Sequence, residues 1–260
     1  MNTVTLLAII LFLSMAVIGK GKGVRSFVAL FLNFAVLFFA ILLMMNPSAD
    51  PILLTIIAGT VISCITLFYI NGINTTTITS FISTVITMVI LIFFILIVTD
   101  AAMIQGFSEE EFEVLYLFSM YIGVDFLKIA ASVTIMATIG AIVDLTISIA
   151  SPMREIQLNN PSISRKDLYL SGMSIGRDIL GTSTNTLFFA FFGGYLALLI
   201  WFKDLTYSLG EIVNSKVFAE SMLTILMAGI GIALAIPITA TVTAYFLVRE
   251  REKKGQNENT

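Results

Sequence analysis

The chain contains no histidine and a single cysteine, Cys64. The usual nitrogen and sulfur ligands of zinc or haem are therefore missing, and no disulfide can form within the chain. Cys64 lies inside an apolar run, where it reads as a small apolar filler. No Walker loop, nucleophile elbow or histidine-based metal motif occurs. No metal, no cofactor and no enzymatic activity are expected, and any proton chemistry falls to carboxylates. Charge is scarce as well, at 12% of 260 residues, against roughly 25% in soluble domains. The net charge is −3, so no basic surface points to nucleic acid. Long polar stretches are also missing, which leaves no room for a sizeable soluble domain.

What is present is apolar length. Hydrophobic residues make up 58% of the chain and the mean hydropathy is +1.00. Long apolar runs lie at about 3–19, 26–45, 52–70, 78–99, 127–150, 179–201 and 221–248. Only helices and closed barrels satisfy their backbone groups in a bilayer, and runs of this length suit helices. The expected fold is all-α: a polytopic integral membrane protein with about seven transmembrane helices. Residues 1–248 form its one transmembrane domain and 249–260 a polar tail. The first run lacks a basic region ahead of it and reads as a span, not a signal peptide.

The placement of positive charge orients these spans. With the N-terminus outside, the segments 20–25, 71–77, 151–178 and the tail are cytoplasmic. They hold Lys20, Lys22, Arg25, Arg154, Arg165, Lys166, Arg177, Arg249, Arg251, Lys253 and Lys254, which is 11 of the 14 basic residues. The outer segments hold only Lys203 and Lys216, with Lys128 at a border. The C-terminus is then cytoplasmic, and the tail EREKKGQNENT reads as disordered.

Segment 100–126 is expected outside. Ser108 and Glu111 have capping-box spacing, and Glu109 and Glu110 suit a helix N-terminus. The apolar stretch that follows is too short to span, so a surface helix is expected at about 109–124, with a re-entrant hairpin as the alternative. A second, shorter surface helix is expected at 205–220.

Polarity at membrane depth concentrates between Gly140 and Asn185. Gly140, Asp144, Ser148 and Ser151 recur at helical spacing and share one face, which Glu155 continues. Such a small, polar face should meet protein or water. A carboxylate at this depth is costly unless paired, protonated or wetted, so Asp144 is a functional candidate. It reads either as a proton or cation carboxylate or as the partner of an arginine. At the start of the sixth run, Asp178, Gly181, Thr182 and Asn185 share a face. Arg177, Gly181 and Thr184 share the adjacent one, and Gly172 and Gly176 flank the start. The candidate binding or relay set is therefore Asp144, Arg177, Asp178, Thr182 and Asn185. Gly140, Gly172, Gly176 and Gly181 are candidates for close helix packing. Pro237 is expected to kink the seventh span and free a carbonyl, with Thr239, Thr241 and Thr243 placed to re-satisfy it. Asn33 reads as a packing hydrogen bond within the second span. The run Phe188 to Phe192 reads as lipid-facing or packing surface.

The strings GAIVDLTISIAS at 140–151, SGMSIGRDILGTSTNTL at 171–187 and AIPITA at 235–240 resemble the YibE/F family of bacterial membrane proteins. The resemblance covers residues 115–245 closely and the first hundred by span pattern, and the chain is similar to the family's shorter members. It implies a bacterial cytoplasmic membrane and a second membrane protein, the longer family member, as partner; a homo-oligomer is the alternative. It supplies no substrate. A second likeness is of pattern only: Gly140, Asp144, Arg154 and Glu155 are placed as in proton-driven RND and SecD/SecF export proteins, and a shared pattern does not carry function. The expected role is a transport or export component with Asp144 at its centre. The alternative is a non-transporting scaffold or assembly subunit whose polar face binds another chain's helices.

Overall fold

The structure, a computed structural model, describes residues 2–102, 125–204 and 206–257. Among these residues the chain forms helices and no strand. The elements are α1 (Thr3–Met44), α2 (Pro51–Cys64), which continues as a π-helical stretch at Ile65–Tyr69, α3 (Thr75–Ala102), α4 (Phe126–Asn159), α5 (Arg165–Gly194), α6 (Leu196–Asp204), α7 (Leu209–Asn214) and α8 (Lys216–Asn257). Among the described residues five helices are long and apolar enough to cross a membrane: α1, α2 with its π extension, α3, α4 and the Lys216–Lys253 part of α8.

Local sequence sets where the helices begin. The Asp50 carboxylate accepts the N–H groups of Ile52 and Leu53, and Pro51 occupies the first turn, where its missing N–H costs nothing. Asp125 caps α4 in the same way, and Ser164 caps α5 through the N–H of Asp167. Ser208 and Glu211 form a full capping box on α7.

α1 contains both of the first two expected apolar runs, folded at Lys20, which has φ 48° and ψ −133°. The Phe12 and Phe27 rings lie 5.0 Å apart, whereas fifteen residues of straight helix would separate them by roughly 22 Å. The two halves therefore lie side by side. Gly23 makes this possible, since a side chain there would run into the backbone carbonyl of Met15.

The core sits among α3, α4, α5 and α8. Leu91 and Ile95 of α3, Ile135, Ile142 and Ile149 of α4, Leu168 of α5 and Ile232 and Leu247 of α8 are fully buried there. Hydroxyls share this interior. Thr84 of α3 and Thr146 of α4 lie 3.2 Å apart, and Thr134 of α4 and Thr224 of α8 lie 3.3 Å apart. α2 packs on α4, and α1 packs on α2 at the edge of the bundle.

Several expectations change. Segment 151–178 is mostly helix: α4 runs through Pro152 to Asn159, and α5 begins at Arg165. These ends are held by packing, because Met153 and Leu168 are fully buried and Gln157 Nε2 donates to the Leu247 carbonyl at 2.6 Å. The expected sixth span is divided, since α5 ends at Gly194 and α6 starts at Leu196. The expected surface helix 205–220 is also divided, because Ser215 takes an extended conformation between α7 and α8. The tail is helical as far as Asn257. Arg251 Nη1 donates to the carbonyls of Pro161 and Ile163 at 2.6 and 2.8 Å, and this ties the end of α8 to the α4–α5 turn. α8 continues as helix through Pro237, so the proline does not end it. Thr241 Oγ1 donates to the Pro237 carbonyl at 2.7 Å, while the buried hydroxyls of Thr239 and Thr243 have no hydrogen-bond partner. The surface helix expected at 109–124 lies outside the described residues.

Candidate functional site

α4 and α5 form an antiparallel hairpin whose outer side carries a groove. Asp144, Ser148, Ala141 and Leu145 of α4 line it with Ile179, Thr182, Ser183, Thr186 and Leu187 of α5; Ile232 of α8 closes the floor. The groove is open on one side and has a volume of about 300 Å³. Its depth follows from the crossing below it. A side chain on Gly172 would meet Met153 Sδ at 2.5 Å, so these two residues sit level. Asp144 lies nine residues before Met153, and Thr182 lies ten after Gly172. Both are then roughly 14–15 Å above the crossing. Arg177 is five residues above it, roughly 8 Å.

The five candidate site residues do not all converge. Asp144 and Thr182 line the groove together. Arg177, Asp178 and Asn185 are exposed on α5 and do not line it. Among the described residues no ion pair or hydrogen bond joins Asp144 to Arg177, and the Asp144 carboxylate has no hydrogen-bond partner. Ion pairs among the described residues include Lys128–Asp50 at 2.8 Å and Arg154–Glu250 at 2.6 Å. Three of the four hydroxyls lining the groove serve their own helices, Ser183 being the exception. Ser148 Oγ donates to the Asp144 carbonyl at 2.6 Å, Thr182 Oγ1 to the Ile179 carbonyl at 2.9 Å and Thr186 Oγ1 to the Thr182 carbonyl at 2.8 Å.

The candidate packing glycines divide by surroundings. A side chain on Gly172 or Gly176 would collide with Met153 and Ala240, or with Ile236, where α5 crosses α4 and α8. Gly140 and Gly181 face open space. Asn33 Nδ2 donates to Thr66 Oγ1 in the π-helical stretch at 3.2 Å. Phe188 and Phe192 pack ring to ring at 4.4 Å, and Phe192 lies near Phe218 of α8.

A second polar cluster, which spacing in the sequence did not assemble, lies at the end of the bundle where Lys22, Asn71, Thr75, Arg154, Glu155 and Glu250 line an open cavity of about 380 Å³. Arg154 contacts both Glu250 carboxylate oxygens, at 2.6 and 3.3 Å, and Thr75 Oγ1 donates to the same carboxylate at 2.7 Å. Arg154 and Glu250 are distant in sequence, so spacing gives no signal for the pair. Their opposite charge within segments expected on one side of the membrane was the only available hint. Among the described residues no group of three or more acidic or cysteine side chains could hold a metal ion.

Compared with known proteins, the chain has no match among curated proteins and none among solved structures. The family described as YibE/F-like protein matches residues 7–249, which takes in the first hundred residues as well as the α4–α5 hairpin and α8. The chain belongs to the YibE/F-like family.

Proposed function

We propose that this YibE/F-like protein is a non-enzymatic component of a membrane transport or export system, with Asp144 as its working carboxylate. In this reading it spans the bacterial cytoplasmic membrane seven times, with the N-terminus outside and the C-terminus inside. The observation that carries the proposal is the place of Asp144: midway along a long apolar helix that this reading sets in the membrane, in a hydroxyl-lined groove, with no lysine or arginine among the described lining residues. A structural carboxylate at that depth needs a partner to offset several kcal/mol. One that exchanges a proton or cation needs an opening instead, and the groove provides it.

The test uses proteoliposomes holding an internal pH dye. Under an inward proton gradient, proton entry should exceed that of protein-free liposomes, and Asp144→Asn should abolish the excess without altering insertion. Equal entry in the two proteins would sink the proposal.

A second reading, a scaffold that binds another membrane protein, is favoured by Arg177, Asp178 and Asn185. They are exposed outside the groove, and Asn185, within the expected span, is a polar group that another chain's helix could cover. That cover would come from the longer family member or from a second copy. Cysteine placed at Asn185 should then cross-link to another chain within the membrane; no cross-link would remove this reading.

A further inference from the structure

The lining of the α4–α5 groove has a one-sided hydrogen-bond chemistry. Each hydroxyl has one hydrogen to give and two lone pairs to offer. The hydrogens of Ser148, Thr182 and Thr186 are all spent on backbone carbonyls of their own helices. These oxygens can therefore present only lone pairs to the groove. Backbone N–H groups within α4 and α5 are engaged in the helices themselves. Asp144 adds a carboxylate, an acceptor when ionised. Ser183 is the only lining group with a hydrogen left to donate, and no lysine or arginine lines the groove. Such a surface repels anions and attracts positive charge.

Size and the remaining lining narrow the choice further. A divalent ion takes six or more oxygens, commonly from several carboxylates, and only one carboxylate is present. A bare monovalent ion would use a small part of about 300 Å³. Ala141, Leu145, Ile179, Leu187 and Ile232 supply apolar walls for the rest. Ligand pockets for small molecules have this size and this mixture of apolar wall with few polar groups.

We propose that the α4–α5 groove binds a monovalent organic cation, its charge against Asp144 and its apolar body against the walls. This deepens the transport reading by naming a substrate class for the same site, but binding can be measured without transport.

The experiment compares two probes of the same shape and opposite charge, tetraphenylphosphonium and tetraphenylborate. Binding to the full chain in a non-ionic detergent is measured, with empty micelles subtracted. The cation should bind at one per chain and the anion should not. Asp144→Asn should weaken cation binding by about tenfold or more, since it removes the only charge partner. Thr186→Val, nearly isosteric, should weaken it by a smaller factor, and it serves as the second variant should Asp144→Asn fail to elute as a folded species. Sodium in large excess should not displace the probe. Equal binding of the two probes, unchanged binding in both variants, or displacement by sodium would each overturn the proposal. Cation binding without any Asp144-dependent proton entry would overturn the transport reading and leave this one standing. Asp144-dependent proton entry without cation binding would do the reverse.

Discussion

Gly172 and Gly176, one turn apart on α5, set how closely that helix approaches α8, whereas Gly181 sets nothing of the kind. A side chain on Gly176 would enter the space of Ile236, while one on Gly181 would meet open space. Gly176→Val should therefore overpack the crossing and cost about 1–3 kcal/mol. In a thermal melt of the detergent-purified protein this would appear as a midpoint lower by several degrees. Gly181→Ala should leave the midpoint unchanged or raise it slightly, because alanine favours a helix over glycine. If the two variants melted alike, the close approach of α5 to α8 would be wrong. The sequence showed four glycines of equal promise; only the positions of Met153, Ala240 and Ile236 separate them. Asp50 is informative in a different way. Hydrogen bonding to the Lys128 ammonium, then to the Leu53 N–H, holds its carboxyl below its ordinary value of 3.8. A carboxyl lowered on folding contributes stability above its ordinary value and loses it as pH falls through the lowered one. Melts from neutral to acid pH should thus show wild type above Asp50→Ala at neutral pH, with the gap closing below about pH 4. A gap that widened on acidification would contradict the pairing.

At the scale of elements, the last turns of α8 are held by partners far away in sequence. Glu250 takes both Nη atoms of Arg154, 96 residues earlier, together with the hydroxyl of Thr75. Both charged side chains are 25% exposed, so neither is fully hydrated. Removing one leaves the other partly buried without its counter-charge, which costs more than the pair adds in net stability. Arg154→Gln and Glu250→Gln should each lower stability by about 1–3 kcal/mol. The double variant should cost clearly less than the sum of the two. Additive losses in a double-mutant cycle would show that the contact is energetically idle. This network also explains why the tail was misread. Composition alone makes EREKKGQNENT a disordered segment, because the pattern contains nothing it could pack on. Arg251 finds the carbonyls of the α4–α5 turn and Glu250 finds Arg154, and both contacts depend on tertiary register. The starts of α2, α4 and α7 rest on local chemistry instead, since Asp50, Asp125 and Ser208 act on backbone groups two or three residues away, although none of these caps was singled out from the sequence.

For the molecule as a whole, apolar length and scarce charge were enough to give an all-helical membrane protein, because a bilayer leaves the backbone few ways to satisfy itself. The site was legible only in part. Helical spacing places Asp144 and Thr182 at matching depth, but it does not say which way α5 is rotated. That rotation puts Arg177, Asp178 and Asn185 outside the groove. Orientation in the membrane follows from charge, and it can be tested with two described turns. Ser48 lies between α1 and α2, and Ser162 between α4 and α5; both are exposed. Three long apolar helices, α2 with its π extension, α3 and α4, separate them. In the proposed topology all three cross, so the two turns lie on opposite faces, with Ser162 on the inner side that holds 11 of the 14 basic residues. In a Cys64→Ala background, Ser48→Cys should react with an impermeant maleimide in intact cells, while Ser162→Cys should react only after permeabilisation. The reverse pattern would invert the topology. Reaction at both sites in intact cells, or at neither, would require an even number of crossings between them and would overturn the proposed topology.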